Sequence, residues 1–401
     1  MIREFISLIF FNTALGNSFY ENLNFSSLLK SSLFFIFITV FFFNLPKINK
    51  KIFLLSSWLL SMIVSLNVLR YKPFGGDAVI YCEINELIKD SSNSIYDLPT
   101  KYSFNYPPIY KYLIEGICSF DYISLYPYIS ILVLLIILPR RNNNFSDFAI
   151  YLLYFLGAFL ALRWVFKTGN FVFIELLTLH YFLKSYIKKR EINYFLLFLF
   201  GFQRLWFLLI IPFLFILDKN KVEKLKSFSL PILFVLFLNL FEIDDYLSSF
   251  FQLSSSYSIF SEQPGHNTPS LYLGVLKLVG IESGIYTLSI YFLIILYLLK
   301  LLTIKKIDER TLFLIFSFFL IFNPYLKPYH MIFMLPLIQL LDLKFLKSRN
   351  AIFISIFAPN FLWILGSNIS LGTYFGFFQI IFPVAFIYQA YLYYKNESKY
   401  D

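Results

Sequence analysis

Runs of about 18 or more apolar residues recur along nearly the whole chain, and that length is what an α-helix needs to cross the roughly 30 Å hydrocarbon layer of a bilayer. The chain has 401 residues, with 53 Phe and 30 Tyr, and only 14% of it is charged. An ordinary soluble domain is roughly 25% charged, and no water-soluble fold of this size hides so much apolar surface. The expected fold is therefore all-α, a single polytopic integral membrane domain over 1–401. A closed β-barrel is excluded because the runs are continuous, whereas a barrel wall alternates apolar with polar residues.

The apolar runs predict about 11 spans, near 31–45, 52–69, 122–138, 148–163, 170–187, 227–241, 286–304, 311–323, 329–343, 351–366 and 373–394. Basic clusters orient them. The segments 47–51, 140–141, 184–190, 219–226, 305–310 and 344–349, with Lys300 and the tail from Lys395, hold 22 of the 34 Lys and Arg. By the positive-inside rule this side is the cytoplasm. The net charge of +10 thus reports orientation, and no nucleic-acid partner is expected. The N-terminal "MIREFISLIFF" lacks a convincing small-residue cleavage site and reads as retained. Cys82 and Cys118 encode no disulfide framework, and their pairing is left open.

Residues 192–217 lie between two clusters that both belong inside, so a single crossing contradicts the charge count. A broken hairpin resolves this, its two short helices meeting at Gly201-Phe202-Gln203-Arg204. Irregular backbone at membrane depth is tolerated only where it is buried in protein or lines a cavity. The hairpin therefore predicts a cavity with Arg204 in it or at its rim.

The outside then receives long loops at 70–121 and 242–285. Long connections of this kind are functional or disordered, and both carry apolar residues at helical spacing. In 77–90, Val79, Ile80, Ile84, Leu87 and Ile88 mark one helix face. The segment 107–119 is too short to span and reads as interfacial.

Asp77 follows Gly75-Gly76 and opens the first of these helices. It reads as an N-cap, although Ile80 denies it a capping-box partner. A compatible second reading is a general base, taking a proton from an incoming hydroxyl at the membrane surface. Tyr106, Pro107 and Pro108 form an aromatic-Pro-Pro junction, either a plain loop-to-helix start or a wall of a sugar pocket. Gly169-Asn170 sit at the outer end of a span, with Glu175 deeper as a candidate for the cavity, since intramembrane ionisable groups face protein or wet interiors. His180 reads as interfacial. His266 and Asn267 stand where the second outer loop turns into a helix, solvated or substrate-facing. Lys327 and His330 occupy an outer turn stiffened by Pro324 and Pro328. Positive charge there opposes the inside bias. Arg70, Lys72, Arg163, Lys167, Arg204 and Lys327 either snorkel to headgroups or together receive an anionic phosphate. No His-x-x-x-His spacing occurs, so neither a metal site nor a cofactor is expected.

The order of these elements over roughly residues 70–340 resembles the C-type integral membrane glycosyltransferases, and within them the polyprenyl-phosphate-mannose-dependent alpha-1,2-mannosyltransferase-like group. The matching elements are Asp77, "FNYPPIYKYL", "TGNFVFIELL", "GFQRLWFLLIIP", "HNTPSLYLGVLKL" and "LKPYHMIFMLPL". The resemblance implies inverting transfer of a mannose-like sugar from a polyprenyl-phosphate donor to a hydroxyl of a glycan or glycolipid acceptor. Asp77 would be the general base, with Arg204, Lys327 and His330 on the donor phosphate. Tyr106, Pro107, Asn170, His266 and Asn267 would bind substrate. It implies the plasma membrane of a bacterium, with the site on the extracytoplasmic face. The rival reading is a flippase or permease for a lipid-linked saccharide. A transporter is expected to carry corresponding broken helices in two halves, and the sequence contains one such hairpin without a second.

Overall fold

The computed structural model describes 76–90, 94–96, 106–119, scattered positions between 133 and 165, 169–218, 221–255, 293, 307–323, 326, 328–358 and 375–397. These residues are helical nearly throughout, with no strand among them. Helices of eight residues or more are α1 (Gly76–Asp90), α2 (Tyr110–Cys118), α3 (Val172–Lys189), α4 (Tyr194–Gln203), α5 (Ile210–Leu217), α6 (Lys221–Leu238), α7 (Ile243–Ser255), α8 (Glu309–Ile321) and α9 (Phe375–Glu397). Among the described residues no helix is long and apolar enough to cross a membrane. The expected spans 31–45 and 52–69 lie outside the described residues. So does 286–304 apart from Leu293, and 122–138 and 148–163 are described only at scattered helical positions.

Local chemistry sets most of the boundaries. α1 has Asp77 in its first turn and Lys89 in its last, each charge opposing the helix dipole at its end. α2 starts on prolines: the amides of Tyr110 and Lys111 donate to the carbonyls of Pro107 and Pro108 at 2.9 and 3.0 Å. Asn193 caps α4 by accepting from the Leu196 amide at 3.1 Å, and Asp308 caps α8 through the Thr311 amide at 2.7 Å. α3 ends at Arg190, which adopts a left-handed φ of 58°.

The segment 192–217 is two arms folded on each other. α4 stops at Arg204, whose backbone is extended (φ −142°, ψ 92°). A short 3-10 turn over Leu205–Leu209 then leads into α5. Pro212 has no amide hydrogen to donate and crowds the carbonyl four residues earlier, so it suits the first turn of a new helix rather than the middle of a continuous one. A Cβ on Gly201 would meet Leu208 Cδ2 and the Leu208 amide nitrogen at 2.8 Å each. Glycine is what lets the arms close to this distance.

Three expectations change. On α1 the buried face is Tyr81, Ile84 and Asn85, with Ile80 and Ile88 partly covered, while Val79 and Leu87 are exposed. The Tyr81 ring on this buried face stacks on Phe171 with centroids 4.4 Å apart. The expected span 329–343 is a chain of short pieces: a 3-10 turn at Pro328–Phe333, one helical turn at Met334–Leu337, and a second 3-10 turn at Ile338–Leu340. Pro336 removes a donor within it, and Leu341 is extended. His180 is buried rather than interfacial, its Nδ1 3.3 Å from Gln339 Nε2.

The core is aromatic. Phe200 of α4 meets Phe207 across the hairpin at 4.7 Å and Phe333 edge-on at 5.4 Å, so the hairpin and the 328–340 segment share one packed centre with α3 and α8. At the other rim, Asn239 ends α6 and accepts from the Ile109 amide at 2.9 Å. The Tyr246 hydroxyl of α7 donates to the Phe202 carbonyl at 2.9 Å. These bonds hold the start of α2 and the hairpin apex against the same end of the molecule.

Candidate active site

α1, α2, the 169–171 turn, α3 and the hairpin apex each contribute to one buried polar chain. Gly169 takes a left-handed φ of 69°, which glycine adopts without strain and which brings Asn170 round to the head of α3. Asn170 is buried, and its Oδ1 accepts from the Val172 amide at 3.1 Å. Its Nδ2 donates to Asp77 Oδ2 at 2.8 Å. The same Oδ1 accepts a short hydrogen bond from the Tyr106 hydroxyl. One asparagine thus orients both the carboxylate and the phenol.

Tyr106 is the junction of the chain. Its oxygen lies 2.9 Å from the Tyr81 hydroxyl and accepts from Arg204 Nη2 at 3.0 Å. The Arg204 guanidinium also lies over the Tyr106 ring, 4.7 Å from its centre. Arg204 Nε donates to Glu175 Oε1 at 3.0 Å, an ion pair in which the Glu175 side chain is 0% exposed and that of Arg204 8%. Asp77, Asn170, Tyr106, Arg204 and Glu175 are therefore linked in series.

The walls are aromatic. Tyr106 stacks on Tyr110 at 4.9 Å and meets Phe171 edge-on at 5.6 Å. Tyr96 donates to the Tyr106 carbonyl at 2.7 Å and so fixes the backbone before the prolines. Cys82 of α1 and Cys118 of α2 form a disulfide, tying together the helix that carries Asp77 and the helix that follows Tyr106.

Burial dominates the acid–base character of this loop. It pushes the Tyr81 hydroxyl well above its ordinary value of 10.0, and the neighbouring Tyr106 and Asp77 add to the effect. Tyr106 is also shifted upward by burial, against the opposing pull of Arg204. Both phenols stay protonated and able to donate across the physiological range.

Of the residues singled out from sequence, Asp77, Tyr106, Asn170 and Arg204 come together, and Pro107 is buried beside Tyr106 at the start of α2. His330 is fully buried, edge-on to Tyr329 at 4.5 Å and stacked with Phe333 at 5.9 Å. The 3-10 turn bearing His330 packs against α3, the helix that carries Glu175. Lys327, His266 and Asn267 lie outside the described residues, as do Arg70, Lys72, Arg163 and Lys167. Sequence reasoning missed Tyr81, Tyr110 and Phe171. Tyr81 is four residues after Asp77 and so on the same helix face, a signal that was available.

Among the described residues no group of three or more His, Cys, Asp or Glu could hold a metal ion. The arrangement offers an oriented carboxylate, a compensated cation and an aromatic surface, which together suit proton removal beside an anion-bearing, partly apolar ligand. No family model, curated protein or solved structure matches the chain.

Proposed function

We propose that the protein is a membrane glycosyltransferase that moves a mannose-like sugar from a polyprenyl-phosphate donor to a hydroxyl of a glycan or glycolipid acceptor, with inversion. The observation that carries this reading is the hydrogen-bonded series from the Asp77 carboxylate through Asn170 and Tyr106 to the Arg204 guanidinium. A base and a cation held in one preorganised array are what such a displacement needs.

In this reaction the acceptor oxygen attacks the first carbon of the sugar and its proton passes to Asp77. The bond from that carbon to the phosphate oxygen breaks, and the electron pair leaves with the phosphate. The departing polyprenyl phosphate is already ionised, so it needs charge compensation rather than a proton. Arg204 supplies compensation, with Lys327 and His330 as further contributors. A buried ion pair such as Arg204–Glu175 generally costs more to desolvate than it returns. Its presence beside the oriented Asp77 favours a functional over a purely stabilising role.

A lipid-soluble donor requires a lipid-facing protein, and the surface suits one. Leu230, Leu233, Phe234, Phe237 and Leu238 of α6 are all exposed at helical spacing, and the following Phe241 is 93% exposed. Ile381, Val384, Tyr388 and Leu392 form a similar stripe on α9. Such stripes suit lipid tails rather than water. The reading places the protein in a bacterial plasma membrane with Asp77 on the extracytoplasmic face, as the basic clusters require.

The test is Asp77→Asn, assayed in membranes for sugar transfer from a polyprenyl-phosphate donor. Loss of about 10²–10⁴-fold in turnover, with the folded protein recovered at normal yield, is the expected result. Transfer at the wild-type rate by the variant overturns the role of Asp77 as base, and absence of transfer by the unaltered protein overturns the transferase reading. Movement of the lipid-linked saccharide across the membrane with no transfer by either protein would instead favour a flippase.

A further inference from the structure

We infer that Glu175 Oε2 and the Tyr110 hydroxyl form a subsite for one hydroxyl group of the saccharide. The inference rests on the glycosyltransferase reading for the identity of the ligand, and on geometry for the site. Arg204 engages only Oε1 of Glu175, at 3.0 Å, and Oε2 is buried with no hydrogen-bond partner among the described residues. The Tyr110 hydroxyl is in the same condition, on a side chain only 4% exposed.

The two side chains are joined through one short series of contacts. Tyr110 stacks on Tyr106 at 4.9 Å, Tyr106 bonds Arg204, and Arg204 bonds Glu175. Glu175 is accordingly the leading charged neighbour acting on the Tyr110 phenol, whose proton burial also holds on. A buried carboxylate oxygen left without a donor costs heavily, more than a neutral acceptor would. The complement to this pair is an O–H that donates to Oε2 while accepting from Tyr110. Tyr81, Tyr106, Tyr110 and Phe171 form one aromatic cluster around the Tyr106–Tyr110 stack, and aromatic side chains are a common lining of ligand sites. A saccharide brings a hydroxyl group and C–H faces on one ligand, and Glu175 is linked to Asp77 through Arg204, Tyr106 and Asn170.

The hydroxyl can come from the donor's sugar or from the acceptor, and binding distinguishes them. The full chain carrying Asp77→Asn, in lipid nanodiscs, is titrated with polyprenyl-phosphate mannose, with bare polyprenyl phosphate and with methyl mannoside. Adding Tyr110→Phe removes one hydroxyl that has no described partner, so the unfolding midpoint is expected to stay within error. A donor-side subsite appears as about a tenfold weakening for the mannosyl lipid with bare polyprenyl phosphate unchanged. An acceptor-side subsite appears as the same loss for methyl mannoside alone. Unchanged binding of both saccharide probes overturns the subsite, as does an equal loss for bare polyprenyl phosphate. The failures separate cleanly. If Asp77→Asn alone keeps wild-type transfer while Tyr110→Phe weakens a saccharide probe, the base assignment falls and the subsite stands. If transfer is lost in Asp77→Asn but binding ignores Tyr110→Phe, the subsite alone falls.

Discussion

The Tyr106 hydroxyl meets Tyr81, Asn170 and Arg204 at once, so a single oxygen determines how the base and the cation face each other. Tyr106→Phe keeps the ring stack and leaves buried donors short of an acceptor. The expected cost is about 1–3 kcal/mol in denaturant unfolding, with a fall in transfer that Asn170→Ala reproduces by releasing Asp77. Alkaline pH is a second probe of this scale. Because burial raises Tyr81 and Tyr106 above the ordinary 10.0, the folded state holds protons that the unfolded state gives up first. Their contribution to stability is complete below about pH 10 and is lost as the pH climbs beyond it. Titration followed by tyrosinate absorbance is expected to leave these phenols silent until the chain unfolds. Early, reversible titration of every tyrosine in the folded protein contradicts their burial.

At the scale of elements, Gly201 is the closest approach in the hairpin. Gly201→Ala is expected to cost about 1–3 kcal/mol by overpacking against Leu208 and to lower transfer by shifting Arg204, three residues on. Thermal unfolding and donor turnover check both effects. A break within 192–217 was expected from the charge count, and Pro212 gave a local reason for a restart. The helices α1 and α2 were legible from apolar spacing and from Pro107-Pro108. The rotation of α1 was not, since Val79, Ile84 and Leu87 satisfy an apolar pattern equally well, and the face is set by tertiary contacts: the Tyr81 stack on Phe171, its bond to Tyr106 and the Cys82–Cys118 link. The broken 328–340 segment was hidden by its own hydrophobicity, which reads the same for 3-10 turns as for a continuous helix. Nor does any local rule say that Glu175 pairs with Arg204 across 29 positions; that is decided by how α3 packs against α4.

For the whole molecule, the proposed reading sets the exposed stripes on α6 and α9 against lipid. High-salt and urea washes are expected to leave the chain in the membrane pellet, and detergent to release it. Recovery in the washed supernatant contradicts a bilayer-embedded protein. The assembled site draws on segments from residue 77 to residue 204, with Tyr246 of α7 braced against the apex, which is why composition alone pointed to a solvent rather than to a mechanism. The link between Cys82 and Cys118 carries a consequence for biogenesis. Glutathione and thioredoxin keep cytosolic thiols apart, so on the proposed extracytoplasmic placement this clamp closes after export, under a thiol oxidase, and a host strain lacking that enzyme is expected to yield chains whose α1 and α2 have no covalent tie.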